Sequence, residues 1–224
     1  MKSLRIAVIG STGRTGRLVL DEGLRRGHAM TAFTRRPEEL AAVRGLAAVV
    51  SGDGRNLADV RRAVHGQDVV ISIVSSEGLG PTTVVSEVVR AALAAMREAG
   101  VRRLVVVSVS AIEGNRPWVF IQLVRWILRK PYADFARMEQ LVRSSGLDWT
   151  IVRPPRLTNG PATGSVRSVA GVKELRHGPY TISRADLAAL LLDLAAGTRH
   201  TGQVLLVSAS RRGRTKPSPA PAED

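Results

Sequence analysis

Three regularly spaced glycines constrain this chain more than any other feature. Gly10, Gly13 and Gly16 follow a short apolar run, Leu4–Ile9, and precede a segment whose apolar residues recur at helical spacing. A glycine-rich turn of this kind lets the backbone approach a phosphate, and the free N–H groups that open the helix then face the anion. The spacing therefore predicts a strand–turn–helix unit that binds a pyrophosphate. The alternative is that the glycines only shape a turn.

The rest of the chain repeats the alternation of strands and helices. Further strand-like runs cover residues 29–34, 46–51, 68–74, 102–109, 149–153 and 202–208, and we expect one or two short strands within residues 157–180. Helical patterns lie between most of these runs; one starts at Pro37, and Asn56 and Ser183 are placed to cap two others. The run over 102–109 is almost continuously apolar, which is typical of a parallel strand buried on both faces. We therefore predict an α/β fold, namely a doubly wound (Rossmann-type), mostly parallel sheet with helices on both faces, in a single domain.

Composition fits one domain followed by a tail. The chain has 224 residues, of which 44% are hydrophobic. We expect the domain to cover residues 1–210, with a small substrate-side region after residue 154. Residues 211–224 contain three prolines and few apolar side chains, and we expect them to be disordered.

Charge, cysteine content and hydropathy remove several classes of function. The net charge is +14, but the arginines are dispersed singly or in pairs, as on solvated helix faces, so we expect no nucleic-acid partner. Cysteine is absent, which excludes disulfides and thiolate metal sites, and the scattered histidines predict no metal site. No apolar run approaches the ~20 residues of a membrane span. We expect a cytoplasmic protein with no membrane partner.

Several later segments resemble one protein family. They are Arg35-Arg36, Gly52-Asp53, Gly80-Pro81-Thr82-Thr83, Val107-Ser108-Val109-Ser110-Ala111 and the block from Ser145 to Pro155. Together with the G-x-x-G-x-x-G spacing, they resemble the atypical short-chain dehydrogenases/reductases. The resemblance is to the NAD(P)H-binding (NmrA-like) group and is closest in pattern to biliverdin reductase B, a flavin reductase. It covers nearly the whole chain except the tail.

The resemblance implies that the cofactor is NADP(H). Proteins that bind NAD usually carry an acidic residue after the second strand, where this chain has Arg35 and Arg36, and a guanidinium binds the 2′-phosphate of NADP well. The alternatives are a solvated basic pair at that point and a helix-capping role for Asp53. The cofactor-binding residues that we predict are Gly10, Thr12, Gly13, Arg14, Thr15, Gly16, Arg35, Arg36, Asp53, Val74, Ser75, Ser108, Pro154 and Pro155.

The catalytic groups of the wider superfamily are only partly present. Ordinary members pair a tyrosine with a lysine four residues later, but here Tyr132 is followed by Ala136, and Tyr180, which precedes Arg184, lies too far along the chain. The resemblance implies that Ser110 is the catalytic serine and that it also contacts the substrate.

Two further residues are candidates for substrate contact. Arg156 follows the two prolines, where its charge would attract an anionic substrate. Trp118 opens a segment rich in aromatic side chains, which we interpret as a wall for a flat ligand. The alternative for this segment is an interfacial membrane helix.

Two functions are compatible with these residues. The first is an NADPH-dependent oxidoreductase that transfers hydride to a flat conjugated acceptor, such as a flavin or a tetrapyrrole, without a Tyr–Lys pair. The alternative is a non-catalytic NADP(H)-binding redox sensor or regulator of the NmrA type. A nucleotide-sugar epimerase or dehydratase is disfavoured because the region after Pro155 is small. The expected partner is a small-molecule substrate, and we expect a monomer, with a homodimer as the alternative.

Overall fold

An eight-stranded sheet organises the fold in the computed structural model, which describes residues 3–75, 82–110, 132–171 and 180–210. The strands of this sheet and of a small second sheet are β1 (Arg5–Ile9), β2 (Ala29–Thr34), β3 (Ala48–Ser51), β4 (Val69–Ser72), β5 (Arg103–Val107), β6 (Asp148–Arg153), β7 (Arg156–Thr158), β8 (Val166–Ala170), β9 (Thr181–Ser183) and β10 (Gln203–Ala209).

The order of the strands in the main sheet is β3-β2-β1-β4-β5-β6-β10-β8. Seven of these strands run parallel, and β8 pairs antiparallel with β10 at one edge. The first six follow the order of doubly wound dinucleotide-binding folds, which confirms the predicted fold class. The one or two short strands expected within residues 157–180 correspond to β7 and β8. The sequence predicted neither the antiparallel pairing of β8 at the edge nor the separate parallel pair that β7 forms with β9.

The helices lie on both faces of the sheet. They are α1 (Arg14–Arg25), α2 (Leu57–Val64), α3 (Val84–Ala99), α4, whose described part covers residues 132–143, and α5 (Arg184–Ala196). Asn56 caps α2 and Ser183 caps α5, as the sequence predicts; each side chain accepts a hydrogen bond from a backbone N–H two or three residues on. The helix predicted to start at Pro37 is only a short 3-10 helix, Pro37–Leu40.

Alternating side chains of the strands build one core on each face of the sheet. Ile6 and Val8 pack with the apolar residues of α1 and α5, whereas Ala7 and Ile9 pack with those of α2, α3 and α4. This alternation follows from the two-residue period of a strand. The sheet is therefore buried on both faces, and its carboxyl edge is left to bind ligands.

Three predictions fall outside the described residues. They concern Trp118 with its aromatic segment, the disordered tail over 211–224, and the part of the substrate-side region over 172–179. None of the helices in the described ranges is both long and apolar enough to cross a membrane.

Candidate active site

The glycine loop joins β1 to α1 by a close backbone contact. Gly10 has a φ of +88°, and a Cβ built on it would lie 2.7 Å from the carbonyl oxygen of Ile73. A Cβ on Gly16 would overlap the carbonyl oxygen of Gly10 and lie 2.8 Å from Ser11 Cα. Both positions therefore require glycine, because backbone atoms fill the space that a side chain would occupy. The loop has the packing that the motif predicts.

The start of α1 is open toward the carboxyl edge of the sheet. Gly13 is the N-cap, it offers no side-chain cap, and the first turn of the helix contains no acidic residue. The N–H groups of this turn and the positive end of the helix dipole are therefore available to an anion. Two bonds to β2 hold the loop: the Ser11 hydroxyl donates to the Phe33 carbonyl at 2.9 Å, and the Thr12 and Thr34 hydroxyls lie 3.2 Å apart. These features fit a pyrophosphate.

A first cleft, which we call the β2–β3 cleft, opens on one side of the loop and has a volume of about 310 Å³. It is formed by the loop, the ends of β1 and β2, the turn after β3, the end of β4 and the start of α3. The predicted cofactor residues that line it are Gly10, Thr12, Gly13, Arg35, Arg36, Asp53, Val74 and Ser75.

The charges of the β2–β3 cleft are mostly positive. Arg35 and Arg36 are both exposed at the end of β2, and Arg36 forms an ion pair of 2.6 Å with Glu39. Arg55, which also lines the cleft, lies 2.6 Å from the carboxylate of Asp53. Hydrogen bonds from the Arg55 side chain, and then from its backbone N–H, lower the pKa of Asp53 to about 2. Three arginines thus face one ionised carboxylate among the described lining residues.

Asp53 does not cap α2, which was the alternative role for this residue. That position belongs to Asn56, whose side-chain oxygen accepts from the N–H of Ala58 at 2.9 Å. Asp53 instead accepts from the backbone N–H of Arg55 at 3.0 Å, which keeps its carboxylate at the margin of the cleft. The predicted contact of Asp53 with the cofactor stays a prediction.

A second cleft, the β5–β6 cleft, lies on the other side of the loop and has a volume of about 330 Å³. It shares Gly13 and the segment Ile73–Ser75 with the first cleft. The predicted residues that line it are Gly13, Arg14, Thr15, Gly16, Val74, Ser75, Ser108, Pro154 and Pro155, and they are joined by Ile73, Val107, Val109, Phe135, Leu157 and Arg184. The structure thus brings every predicted cofactor residue to one or both clefts.

The two serines after β5 lie in different environments. Ser108 is 3% exposed and lines the β5–β6 cleft, and its Oγ has no hydrogen-bond partner in the described part of the chain. Ser110 is half-buried and is not among the described lining residues of either cleft. Side chains two residues apart point to the same side of an extended chain, but β5 ends at Val107 and Ser110 has 3-10 conformation. The catalytic role of Ser110 stays a prediction.

Pro154 and Pro155 form one wall of the β5–β6 cleft, which we call the proline wall, and a buried ion pair supports it. Arg153, at the end of β6, is 2% exposed, and its Nε and Nη2 atoms lie 2.8 and 2.5 Å from the two carboxylate oxygens of Glu139 in α4. Charge-assisted bidentate pairs of this kind fix geometry strongly. The pair joins the strand that leads into Pro154 to the helix that carries Phe135, so two walls of the cleft are held together.

Two arginines also line the β5–β6 cleft. Arg184 opens α5, and its Nη1 donates to the side-chain oxygen of Asn159 at 2.6 Å. Burial and then the nearby charge of Arg14 lower the pKa of Arg184. Arg156, the arginine chosen from the sequence, is exposed on β7 and is not among the described residues that line a cleft.

Neither tyrosine is among the described residues of the two clefts. Tyr180 is 61% exposed beside β9, and Tyr132 is half-buried where the described part of α4 begins. Within the described ranges, no group of three acidic or histidine side chains is placed to hold a metal ion. Phe135 and Arg184 line the β5–β6 cleft, although the sequence did not predict them there. The only local signal for Arg184 is its place directly after the helix cap, Ser183.

Comparisons with known proteins give the family. The NAD(P)H-binding family model matches residues 10–198. The chain is 34% identical over 209 residues to the (4-alkanoyl-5-oxo-2,5-dihydrofuran-3-yl)methyl phosphate reductase of Streptomyces griseus, covering 91% of this chain and 67% of the relative.

Solved structures of similar proteins share the fold. An anaerobillin reductase from Escherichia coli superposes with a TM-score of 0.77 at 22% identity, over 96% of this chain and 100% of the other. A short-chain dehydrogenase/reductase from Veillonella parvula in complex with NADP gives 0.75 at 18% identity, over 95% and 96% of the two chains. With the glycine loop, the strand order and the family match in agreement, the chain belongs to the NAD(P)H-binding family and has a Rossmann-type fold.

Proposed function

We propose that the protein is an NADPH-dependent reductase that transfers hydride to a flat conjugated acceptor, such as a flavin, without a Tyr–Lys acid pair. One observation carries the proposal: two clefts of different character meet at Gly13 and Ile73–Ser75. This point lies between β1 and β4, where the strand order reverses and where dinucleotides bind in doubly wound folds. The names of the Streptomyces and Escherichia relatives, which are both reductases, support the same class of activity.

The residues of the β2–β3 cleft favour NADP(H) over NAD(H). The loop and the start of α1 would hold the pyrophosphate through backbone N–H groups. Arg35 and Arg36 would bind the 2′-phosphate, because a guanidinium forms charge-assisted bonds with phosphate oxygens. Asp53 lies after β3 rather than β2, and Arg55 binds its carboxylate, so its repulsion of a phosphate is reduced.

The residues of the β5–β6 cleft suit a flat, largely apolar acceptor. The bound cofactor, in its reduced form, supplies the hydride. Phe135, Pro154 and Leu157 offer apolar surface. An acceptor bound against them would exclude water, which strengthens the electrostatic interactions inside the cleft. A serine hydroxyl at the end of β5 would orient the reacting rings by a hydrogen bond; the sequence predicts Ser110 for this role, and Ser108 lines the cleft. A flavin acquires its proton from water, so no tyrosine acid is required.

The direct test is the oxidation of NADPH by the purified protein, followed at 340 nm with and without free riboflavin. We expect riboflavin-dependent turnover that is faster with NADPH than with NADH. Tyr132→Phe should leave the rate nearly unchanged, because Tyr132 lies outside both clefts. Loss of turnover in Tyr132→Phe would contradict the mechanism. Tight binding of NADPH without reduction of any flavin, quinone or tetrapyrrole would instead support the redox-sensor alternative.

A further inference from the structure

We propose that the acceptor carries an anionic group, a phosphate or a carboxylate, and that Arg184 binds this group in the β5–β6 cleft. The identification of the ligand as a hydride acceptor rests on the proposed function. The binding of an anionic group by Arg184 is argued from separate observations. They concern the guanidinium of Arg184, the charge balance of the cleft and the hydroxyl of Ser108.

The guanidinium of Arg184 is held in place and still has donors to offer. Its bond to Asn159 is the one hydrogen bond that its side chain makes within the described part of the chain. A guanidinium has five N–H donors in a fixed plane, so the donors that Asn159 does not use are available to a planar or tetrahedral oxyanion. Arg184 is therefore a positioned cation at the wall of a cleft.

Every charged side chain among the described lining residues of the β5–β6 cleft is a cation. Arg14 and Arg184 both line it, and no aspartate or glutamate is among its described lining residues. The two cations are close enough that the charge of Arg14 lowers the pKa of Arg184. Arg14 lies between Gly13 and Gly16, so the phosphates of the cofactor would neutralise its charge. Arg184 lies on α5 and not on the glycine loop, so its charge is available to bind a second anion.

Ser108 indicates that a polar ligand enters the same cleft. Its Oγ is buried and lacks a hydrogen-bond partner among the described residues, and the residue lines the cleft. A buried hydroxyl without a hydrogen bond is unfavourable unless a ligand or a water supplies the bond. The wall beside it is apolar, with Phe135 and Leu157. The ligand that satisfies all of these residues is amphiphilic, with an apolar ring system, a polar edge and an anionic group.

Two flavins test the proposal because they share one ring system. FMN carries a phosphate, which riboflavin lacks. We would titrate each oxidised flavin into the protein saturated with NADP⁺ and follow the quenching of flavin fluorescence. We expect FMN to bind about tenfold or more tightly, as one charge-assisted bond predicts. Arg184→Gln should reduce FMN binding to the level of riboflavin and leave the affinity for NADP⁺ unchanged.

A control variant and a second variant complete the design. Arg199 is exposed beyond the opposite end of α5, so Arg199→Gln removes the same charge without touching the cleft and should keep the preference for FMN. Asn159→Ala leaves the charge of Arg184 but removes its anchor, and it should reduce the preference partly. This variant keeps the proposal testable if Arg184→Gln does not fold.

The outcomes separate this inference from the proposed function. Equal binding of the two flavins, or no binding of either, would overturn the anionic acceptor, even if riboflavin were reduced. Loss of NADP⁺ binding in Arg184→Gln would overturn it as well, because Arg184 would then serve the cofactor. A preference for FMN that survives in Arg184→Gln but disappears in Arg156→Gln would assign the anion to Arg156. A preference for FMN that depends on Arg184, without any oxidation of NADPH, would support the inference while the proposed function fails.

Discussion

The two clefts differ in how the chain builds them. The β2–β3 cleft takes most of its residues from short turns that directly follow β1, β2, β3 and β4, all within the first 75 residues, and its surface is charged. The β5–β6 cleft is assembled from the loop, the end of β5, α4, the segment after β6 and the start of α5, and its surface is mostly apolar. Local sequence thus encodes the candidate cofactor site, whereas tertiary packing creates the candidate substrate site.

This difference can be tested because the clefts share only a few residues. A change in the shared loop should affect both clefts, and a change elsewhere should affect one of them.

Gly16→Ala should damage both clefts at once. The new Cβ would meet the backbone of Gly10 and Ser11, which cannot move without displacing the loop. Overpacking of this kind costs about 1–3 kcal/mol of stability, and occasionally more. We expect a lower Tm and no further stabilisation by NADP⁺ in a thermal shift assay. Gly160→Ala, whose Cβ would lie 3.9 Å from the Thr158 hydroxyl, is the control. A Gly16→Ala protein that binds NADP⁺ normally would refute the role of the loop.

Arg35→Ala should affect the β2–β3 cleft alone. Loss of a charge-assisted bond to the 2′-phosphate costs about 1.5–3 kcal/mol, or roughly 10- to 100-fold in the affinity for NADPH. The affinity for NADH and the binding of riboflavin should change little. Isothermal titration with both cofactors measures the difference, and Arg44→Ala, at another exposed arginine, controls for net charge. Equal affinities for NADPH and NADH in the parent protein would contradict this prediction.

Ser108→Ala should affect the β5–β6 cleft alone. One lost orienting hydrogen bond of about 1–1.5 kcal/mol corresponds to about a tenfold lower kcat. Ser208 provides a matched control, because its Oγ is also buried without a partner in the described residues but lies on β10, away from both clefts. Ser110→Ala is measured in parallel. If Ser110→Ala slows turnover more than Ser108→Ala, the residue that the family resemblance indicates is the catalytic serine.

Acidic pH should lower the free energy of unfolding slightly, because it protonates one carboxylate near the β2–β3 cleft and one on α1. The pKa values of Asp53 and Glu22 are lowered to about 2, in each case mainly by a hydrogen bond from a neighbouring arginine. A carboxylate with a lowered pKa in the folded state stabilises the protein above its unfolded value of about 4, and this contribution is lost as the pH falls toward 2. We expect the free energy of unfolding to fall over that range in urea titrations. Asp53→Asn should flatten the profile, and an unchanged profile would argue against the Arg55 pair. The effect is small because both groups are solvent-screened.

The sequence predicted the regular part of the fold well and the irregular part poorly. An apolar run marks β2, and the capping residues Asn56 and Ser183 mark the starts of α2 and α5. The antiparallel strand β8 is mostly exposed and has no such signal, since it depends on pairing with β10. Pairing between residues distant in sequence leaves little trace in local composition.

The candidate site shows the same division. Arg35 and Arg36 could be predicted because they directly follow a strand. Phe135 and Arg184 could not, because their places in the cleft depend on how α4 and α5 pack on the sheet. Ser108 and Ser110 illustrate the limit of a periodic rule, because the alternation of side chains holds only while the chain remains extended, and β5 ends at Val107.

The buried pair of Arg153 and Glu139 has a consequence for the evolution of the family. Loss of either partner alone would leave a buried charge, at a cost of about 3–5 kcal/mol, whereas replacing both by apolar residues is often neutral or stabilising. That cost is a large fraction of the 5–15 kcal/mol that keeps an ordinary domain folded. Single substitutions at these positions should therefore be rare among homologues, and the two positions should change together. In a homologue with apolar residues at both positions, the proline wall would be supported differently. We expect its β5–β6 cleft to accept a substrate of a different shape.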